Sequence, residues 1–214
     1  MMAAAEGYAD RVQAGQVLAE RLGDADLRDP VVLGLARGGV PVAAEVARGL
    51  GAPLRVCVAR KIGAPGHAEL AIGAVTAAGP ATYDERMVRS FGLDEQGMRE
   101  AADQEREEAR SREERFQVGE RVPLADRDVV LVDDGLATGA TARAAVRMLR
   151  EAGPRRIVLA VPVGAPDAVE SLSHEADEVI SVLRPPDFAA VGQWYRDFKA
   201  TEDAEILDIL HSFA

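Results

Sequence analysis

One short run constrains this chain more than any other. Val129–Val132 is four apolar residues, Asp133 and Asp134 follow at once, and Gly135-Leu136-Ala137-Thr138-Gly139-Ala140-Thr141 leads into a helical pattern. An unbroken apolar run of this length reads as a strand buried on both faces. The helix, Ala140–Ala152, is stopped by Gly153-Pro154. A fully buried strand feeding a helix through a glycine turn commits the chain to a layered α/β architecture.

The rest of the sequence repeats that alternation. Tyr8–Leu22 has the spacing of an amphipathic opening helix. Pro30–Leu35 and Leu54–Ala59 read as buried strands, with the helix Val40–Leu50 between them ended by Gly51. Ile62–Leu70, with Gly63, Pro65 and Gly66, reads as a loop, and Ala71–Thr76 as a third strand. Ile157–Val161, Pro166–Ser173 and Glu178–Val182 continue as strand, helix and strand. The expected fold class is α/β, a single domain over 1–214 with a doubly wound, mostly parallel sheet. Ligands on such sheets sit outside the carboxyl ends of the strands, which directs attention to Ala36–Gly39, Arg60–Gly66, Asp133–Thr141 and Pro162–Gly164.

At Asp133–Thr141 the chemistry can be read directly. Two carboxylates at a strand end are poorly placed for the core, because burying charge is costly, and they suit paired hydroxyls or a metal. The Thr-Gly-x-Thr turn offers free N–H groups, hydroxyls and the positive end of a helix dipole, which together cradle an anion. A sugar phosphate satisfies both halves. The plainer alternative is an ordinary helix cap beside solvated acids.

The thirteen residues Val129–Thr141 resemble the signature of type I phosphoribosyltransferases: four apolar residues, two acids, a spacer, then Thr-Gly-x-Thr. The resemblance implies the fold of that family and binding of 5-phosphoribosyl 1-pyrophosphate with Mg²⁺. Asp133 and Asp134 would hold the ribose hydroxyls, and Ala137, Thr138, Gly139, Ala140 and Thr141 the 5′-phosphate. Mg²⁺ would be held mainly through the substrate, with Asp133 and Asp134 as the protein's contribution. Ala36-Arg37-Gly38-Gly39 falls where the family keeps its pyrophosphate loop, and the resemblance implies a cis Ala36–Arg37 peptide bond there. A simple glycine-rich turn is the alternative. Arg60 and Lys61 precede a segment resembling the mobile loop that closes over the sugar, and a solvated pair is the alternative. Arg37 and Lys61 are the expected stabilisers of the leaving pyrophosphate.

Composition limits the partners. The net charge of −11 repels nucleic-acid phosphates and anionic lipid, so an anionic substrate needs a local basic patch, here Arg37, Arg60 and Lys61. No nucleic acid or membrane partner is expected. No run approaches the roughly 20 apolar residues of a membrane span, and Met1–Asp10 lacks the pattern of a signal peptide, so a cytoplasmic protein is expected. Cys57, the single cysteine, reads as a buried core thiol, and His67 as a solvated side chain.

Two segments depart from the pattern. Residues 79–123 form an expected helical insertion whose charged stretch Asp94–Arg115 carries Glu95/Arg99 and Glu108/Arg112 four apart and reads as a solvated helix. Two further readings are a lid and a dimer arm, the latter making the protein a homodimer. Residues 184–200 form an expected C-terminal hood, where Trp194 and Tyr195 are candidates for stacking on a base or for packing the C-terminal segment. Ala137 stands where transferases for 6-oxopurines keep an acid, which argues against hypoxanthine and guanine. The resemblance as a whole implies transfer of the phosphoribosyl group to a nitrogenous base, purine or pyrimidine, with release of pyrophosphate. Alternatives on the same residues are a non-catalytic regulator that binds this donor or a nucleotide, and a hydrolase.

Overall fold

The structure, a computed structural model, describes residues 7–64, 66–120 and 122–214. Five strands form the central sheet: β1 (Val31–Leu35), β2 (Leu54–Cys57), β6 (Asp128–Val132), β7 (Arg156–Val163) and β8 (Glu178–Leu183). Their order is β2-β1-β6-β7-β8, and every pairing is parallel.

Side-chain alternation along these strands sorts the core into two layers. Val32, Val130, Val132, Val158 and Ala160 face α1 (Arg11–Gly23), α2 (Gly39–Leu50) and α7 (Asp203–His211). Val31, Leu33, Val129, Leu131, Ile157 and Leu159 face α5 (Ala140–Glu151) and α6 (Pro166–Leu172). Both faces are covered, which is why the central strands β1, β6 and β7 are almost wholly apolar rather than alternating. Cys57 is buried here, and burial pushes its thiol up to about 12.

Three readings are corrected. The opening helix begins at Arg11, because the Asp10 side chain caps it by accepting from the Gln13 N–H, while Tyr8 leaves the helix to bridge Tyr195. Val58 alone separates β2 from β3 (Ala59–Ala64), which runs antiparallel to β4 (His67–Thr76). Much of the expected loop is therefore a hairpin, and its glycines serve register shifts at Ile62–Ala64 and the left-handed turn at Gly66 rather than irregular chain. With β5 (Thr82–Tyr83) this hairpin makes a second, antiparallel sheet, so Ala71–Thr76 does not extend the parallel one. Pro65, part of the loop reading, lies outside the described residues.

The insertion contains β5, α3 (Glu85–Ser90) and the long helix α4 (Glu95–Arg115), which Asp94 caps. α4 is not simply solvated. Ala102 packs with Ile62 and Ile72 of the small sheet, and Ala109 joins the core. Arg106 donates to the carbonyls of Thr76 and Gly79, and the Tyr83 hydroxyl donates to the Met98 carbonyl. The Glu95–Arg99 pair forms at 3.7 Å, whereas among the described residues no ion pair links Glu108 to Arg112.

Candidate active site

The loops after β1 and β6 meet face to face. The Ala36–Arg37 peptide bond is cis, in agreement with the resemblance. A Cβ on Gly38 would overlap Asp134 Oδ2, and one on Gly39 would lie 2.6 Å from the Val132 carbonyl oxygen. Both glycines are thus required for the two loops to touch, a reason additional to backbone access for a ligand.

Asp133 and Asp134 leave the end of β6 into a largely buried position. The Asp134 N–H donates to Asp133 Oδ1 at 2.8 Å. Arg11, at the start of α1, donates to Asp134 Oδ2 from Nε at 3.0 Å and lies within 2.9 Å through Nη2. Burial, and then the neighbouring Asp134 charge, push the Asp133 carboxyl well above the usual carboxylate range. Burial also raises Asp134, with the Arg11 guanidinium opposing the shift. Two crowded carboxylates with raised affinity for positive charge suit hydroxyl donors or a cation. Mg²⁺ commonly takes one or two protein carboxylates and completes its octahedron with substrate phosphates and water, and this donor pair fits that use.

Next along the chain, Gly139 adopts the left-handed region at φ 74° and opens α5 with no side-chain cap hydrogen bond. Thr138 Oγ1 lies 3.4 Å from the Ala140 nitrogen, while Ala137 and Thr138 are exposed. Leu136 fixes the loop to the end of β7, donating to the Val163 carbonyl and accepting from the Ala165 N–H. The helix N-terminus therefore presents its first-turn amides as an anion cradle.

A cavity of about 870 Å³ brings Ala36, Arg37, Arg60, Lys61 and Thr141 together. The expected basic patch is real in position but partly neutralised. Arg60 is paired with Glu105 of α4 at 2.8 Å, and Arg37 lies 3.6 Å from Asp203 of α7. Lys61 is exposed and makes no ion pair among the described residues.

The hood reading is corrected for Tyr195. The residue is 7% exposed, with the rings of Tyr8 at 5.6 Å and Phe198 at 5.0 Å between centroids, and its hydroxyl donates to the Asp134 carbonyl at 2.6 Å. A ring so packed offers no free face to a base; it braces the acid pair from behind. Trp194 is half-buried in the same cluster, and its indole N–H has no acceptor among the described residues. His67 is exposed beside Phe91. Sequence reasoning missed Arg11 and Asp203, because no motif or spacing links positions 11 and 203 to the loops they serve.

The family model for the phosphoribosyl transferase domain matches residues 11–198. The chain belongs to that family. A Mycobacterium tuberculosis relative, provisionally named a phosphoribosyl transferase, is 46% identical over 204 residues, covering 95% of this chain and 46% of the relative. The chain thus spans about half the length of the curated relatives it matches first. The crystal structure of TT1426 from Thermus thermophilus is 46% identical, with a TM-score of 0.82 over 97% of this chain and 99% of that one. A uracil phosphoribosyltransferase of Clostridium beijerinckii is 39% identical over 56 residues, 26% of this chain and 27% of its own length. Among the described residues no helix is long and apolar enough to cross a membrane.

Proposed function

We propose that the protein binds 5-phosphoribosyl 1-pyrophosphate with Mg²⁺ and transfers the phosphoribosyl group to a nitrogenous base, releasing pyrophosphate. One observation carries the reading: the acid pair, the open helix N-terminus of α5 and the Ala36–Gly39 loop share one end of one sheet, with Gly38 against Asp134. A donor with a 5′-phosphate, ribose hydroxyls and a pyrophosphate has a chemical match at each of those three places. Family membership and the short match to a uracil enzyme support the donor.

In this reading the residues act mainly by position and charge. The amides of Gly139–Thr141 and the hydroxyls of Thr138 and Thr141 hold the 5′-phosphate. Asp133 and Asp134 accept hydrogen bonds from the ribose hydroxyls, and their negative charge favours an oxocarbenium-like C1. Arg37 and Lys61 face the pyrophosphate as negative charge develops on it. Asp133 and Asp134 would hold Mg²⁺, which when bound would supply further charge neutralisation to the leaving group. Trp194 is the hood ring assigned to the acceptor side, and Ala137 leaves no acid there for a 6-oxopurine.

The test is a screen of purine and pyrimidine bases with the donor and Mg²⁺, read as pyrophosphate release. Release that requires a particular base establishes the transferase. Release without any base identifies a hydrolase, and tight donor binding with no release identifies a regulator.

A further inference from the structure

The cavity above Arg37, Lys61 and Thr141 has a second wall that no phosphate motif supplies. It is one face of α4: Gly97, Glu100, Ala101, Gln104, Glu105 and Arg112. We infer that this wall is part of the donor site and that Arg112 is a pyrophosphate-binding residue contributed by the insertion. The inference rests on the proposed reading of the donor and adds to it a group outside both phosphate loops.

The charge inventory of the cavity points to Arg112. Its lining holds four cations, Arg37, Arg60, Lys61 and Arg112, and two acids, Glu100 and Glu105. Glu105 is taken by Arg60 at 2.8 Å, Glu100 accepts from Gln96 at 2.9 Å, and Arg37 is drawn toward Asp203 at 3.6 Å. Lys61 and Arg112 are left without an ion-pair partner among the described residues. Cations outnumber acids by two around this open cavity, and an entering anion relieves their mutual repulsion. The planar guanidinium also suits bidentate binding of phosphate oxygens, which Lys61 cannot match.

The position of α4 is fixed well enough for such a role. Arg106 ties it to the carbonyls of Thr76 and Gly79, Arg60–Glu105 ties it to β3, and Arg115 pairs with Asp203 at 2.7 Å. Asp203 therefore touches both Arg37 of the pyrophosphate loop and Arg115, one turn beyond Arg112. Helix, loop and α7 are held in one frame, and Arg112 enters the cavity from it.

Calorimetric binding to the full chain tests the assignment with three probes: the phosphoribosyl donor with Mg²⁺, Mg²⁺ pyrophosphate, and ribose 5-phosphate. Arg112→Gln should weaken the first two by about tenfold or more, the loss expected for a hydrogen-bonded charge contact. Ribose 5-phosphate lacks the pyrophosphate and should bind within about twofold of wild type. Arg112→Lys should recover part of the loss. Equal donor binding by wild type and Arg112→Gln overturns the assignment while leaving the donor reading intact. Equal weakening of all three probes also overturns it, because the effect would then lie outside the pyrophosphate. Failure of the wild type to bind the donor defeats the underlying reading instead. Arg112 is partly exposed, so folding of the variants is expected, and their melting temperatures verify it.

Discussion

Arg11 and Asp134 stand 123 positions apart in sequence, and the guanidinium of one grips a single carboxylate oxygen of the other through two nitrogens, at 2.9 and 3.0 Å. The same arginine donates to the Lys199 carbonyl at 2.7 Å and lies 4.1 Å over the Phe198 ring. Both partners are largely buried, with side chains 13% and 14% exposed. Removing one partner of a buried pair strands the other's charge, which typically costs about 3–5 kcal/mol. Arg11→Gln should therefore lower the melting temperature markedly, and Asp134→Asn in the same chain should restore much of the loss. A double-mutant cycle on thermal unfolding measures the coupling. Additive single effects would show that the pair contributes little.

Asp133 supplies a pH prediction. Its folded carboxyl is raised well above its unfolded value, first by burial and then by Asp134. A raised folded value means that the native state binds the proton more tightly than the unfolded chain. Stabilisation by that proton is complete below the unfolded value and is lost as pH rises through the folded one. Above the folded value the ionised Asp133 is a net cost. Asp133→Asn should consequently raise the melting temperature at pH 8 while abolishing turnover. The gain should shrink on acidification. A variant less stable than wild type at pH 8 would contradict the sign.

Gly38→Ala tests the contact between the Ala36–Gly39 loop and the loop after β6. The added methyl would overlap Asp134 Oδ2 and lie 3.3 Å from Arg11 Nη2, so the acid or the loop must move. Displacement of a reacting group by about 1 Å can cost about a hundredfold in rate. Donor binding and turnover should fall by that order, and ribose 5-phosphate, whose hydroxyls meet the same acid, should weaken as well. Wild-type turnover in the folded variant would show that the contact is incidental.

Tyr195→Phe separates bracing from base recognition. The variant loses a hydrogen bond to the Asp134 carbonyl and leaves that acceptor buried, which costs about 1–3 kcal/mol. Stability should drop, and KM for the acceptor should be unchanged. A raised acceptor KM without a stability loss would return the residue to the acceptor pocket.

Much of this site is readable from local pattern. Val129–Thr141 sets its strand, turn and helix within thirteen consecutive residues, so no long-range information is needed to place the acids and the anion cradle. The alternation of strand and helix foretells the central sheet for the same reason. What local pattern cannot carry is convergence of distant parts. Arg11 looks like any polar residue of an amphipathic helix, and Asp203 like an ordinary acid in a first turn; only the fold brings them to Asp134 and Arg37. Tyr195 is ambiguous in sequence because stacking and packing both bury a ring. α4 reads as solvated because its apolar positions are small: Ala102 and Ala109 anchor it without producing a visible stripe.

The hairpin of β3 and β4 changes when the entropy of ordering is lost. Arg60 and Lys61 belong to a paired strand, with Arg60 opposite Val75 and Lys61 opposite Ala74. Fixing a residue's backbone costs about 1–2 kcal/mol. On a free loop that cost would be subtracted from ligand affinity each time the loop closed. On this strand it is met once, when the chain folds, and only the side chains remain to be ordered by the ligand. Their backbone arrives at the encounter already in place.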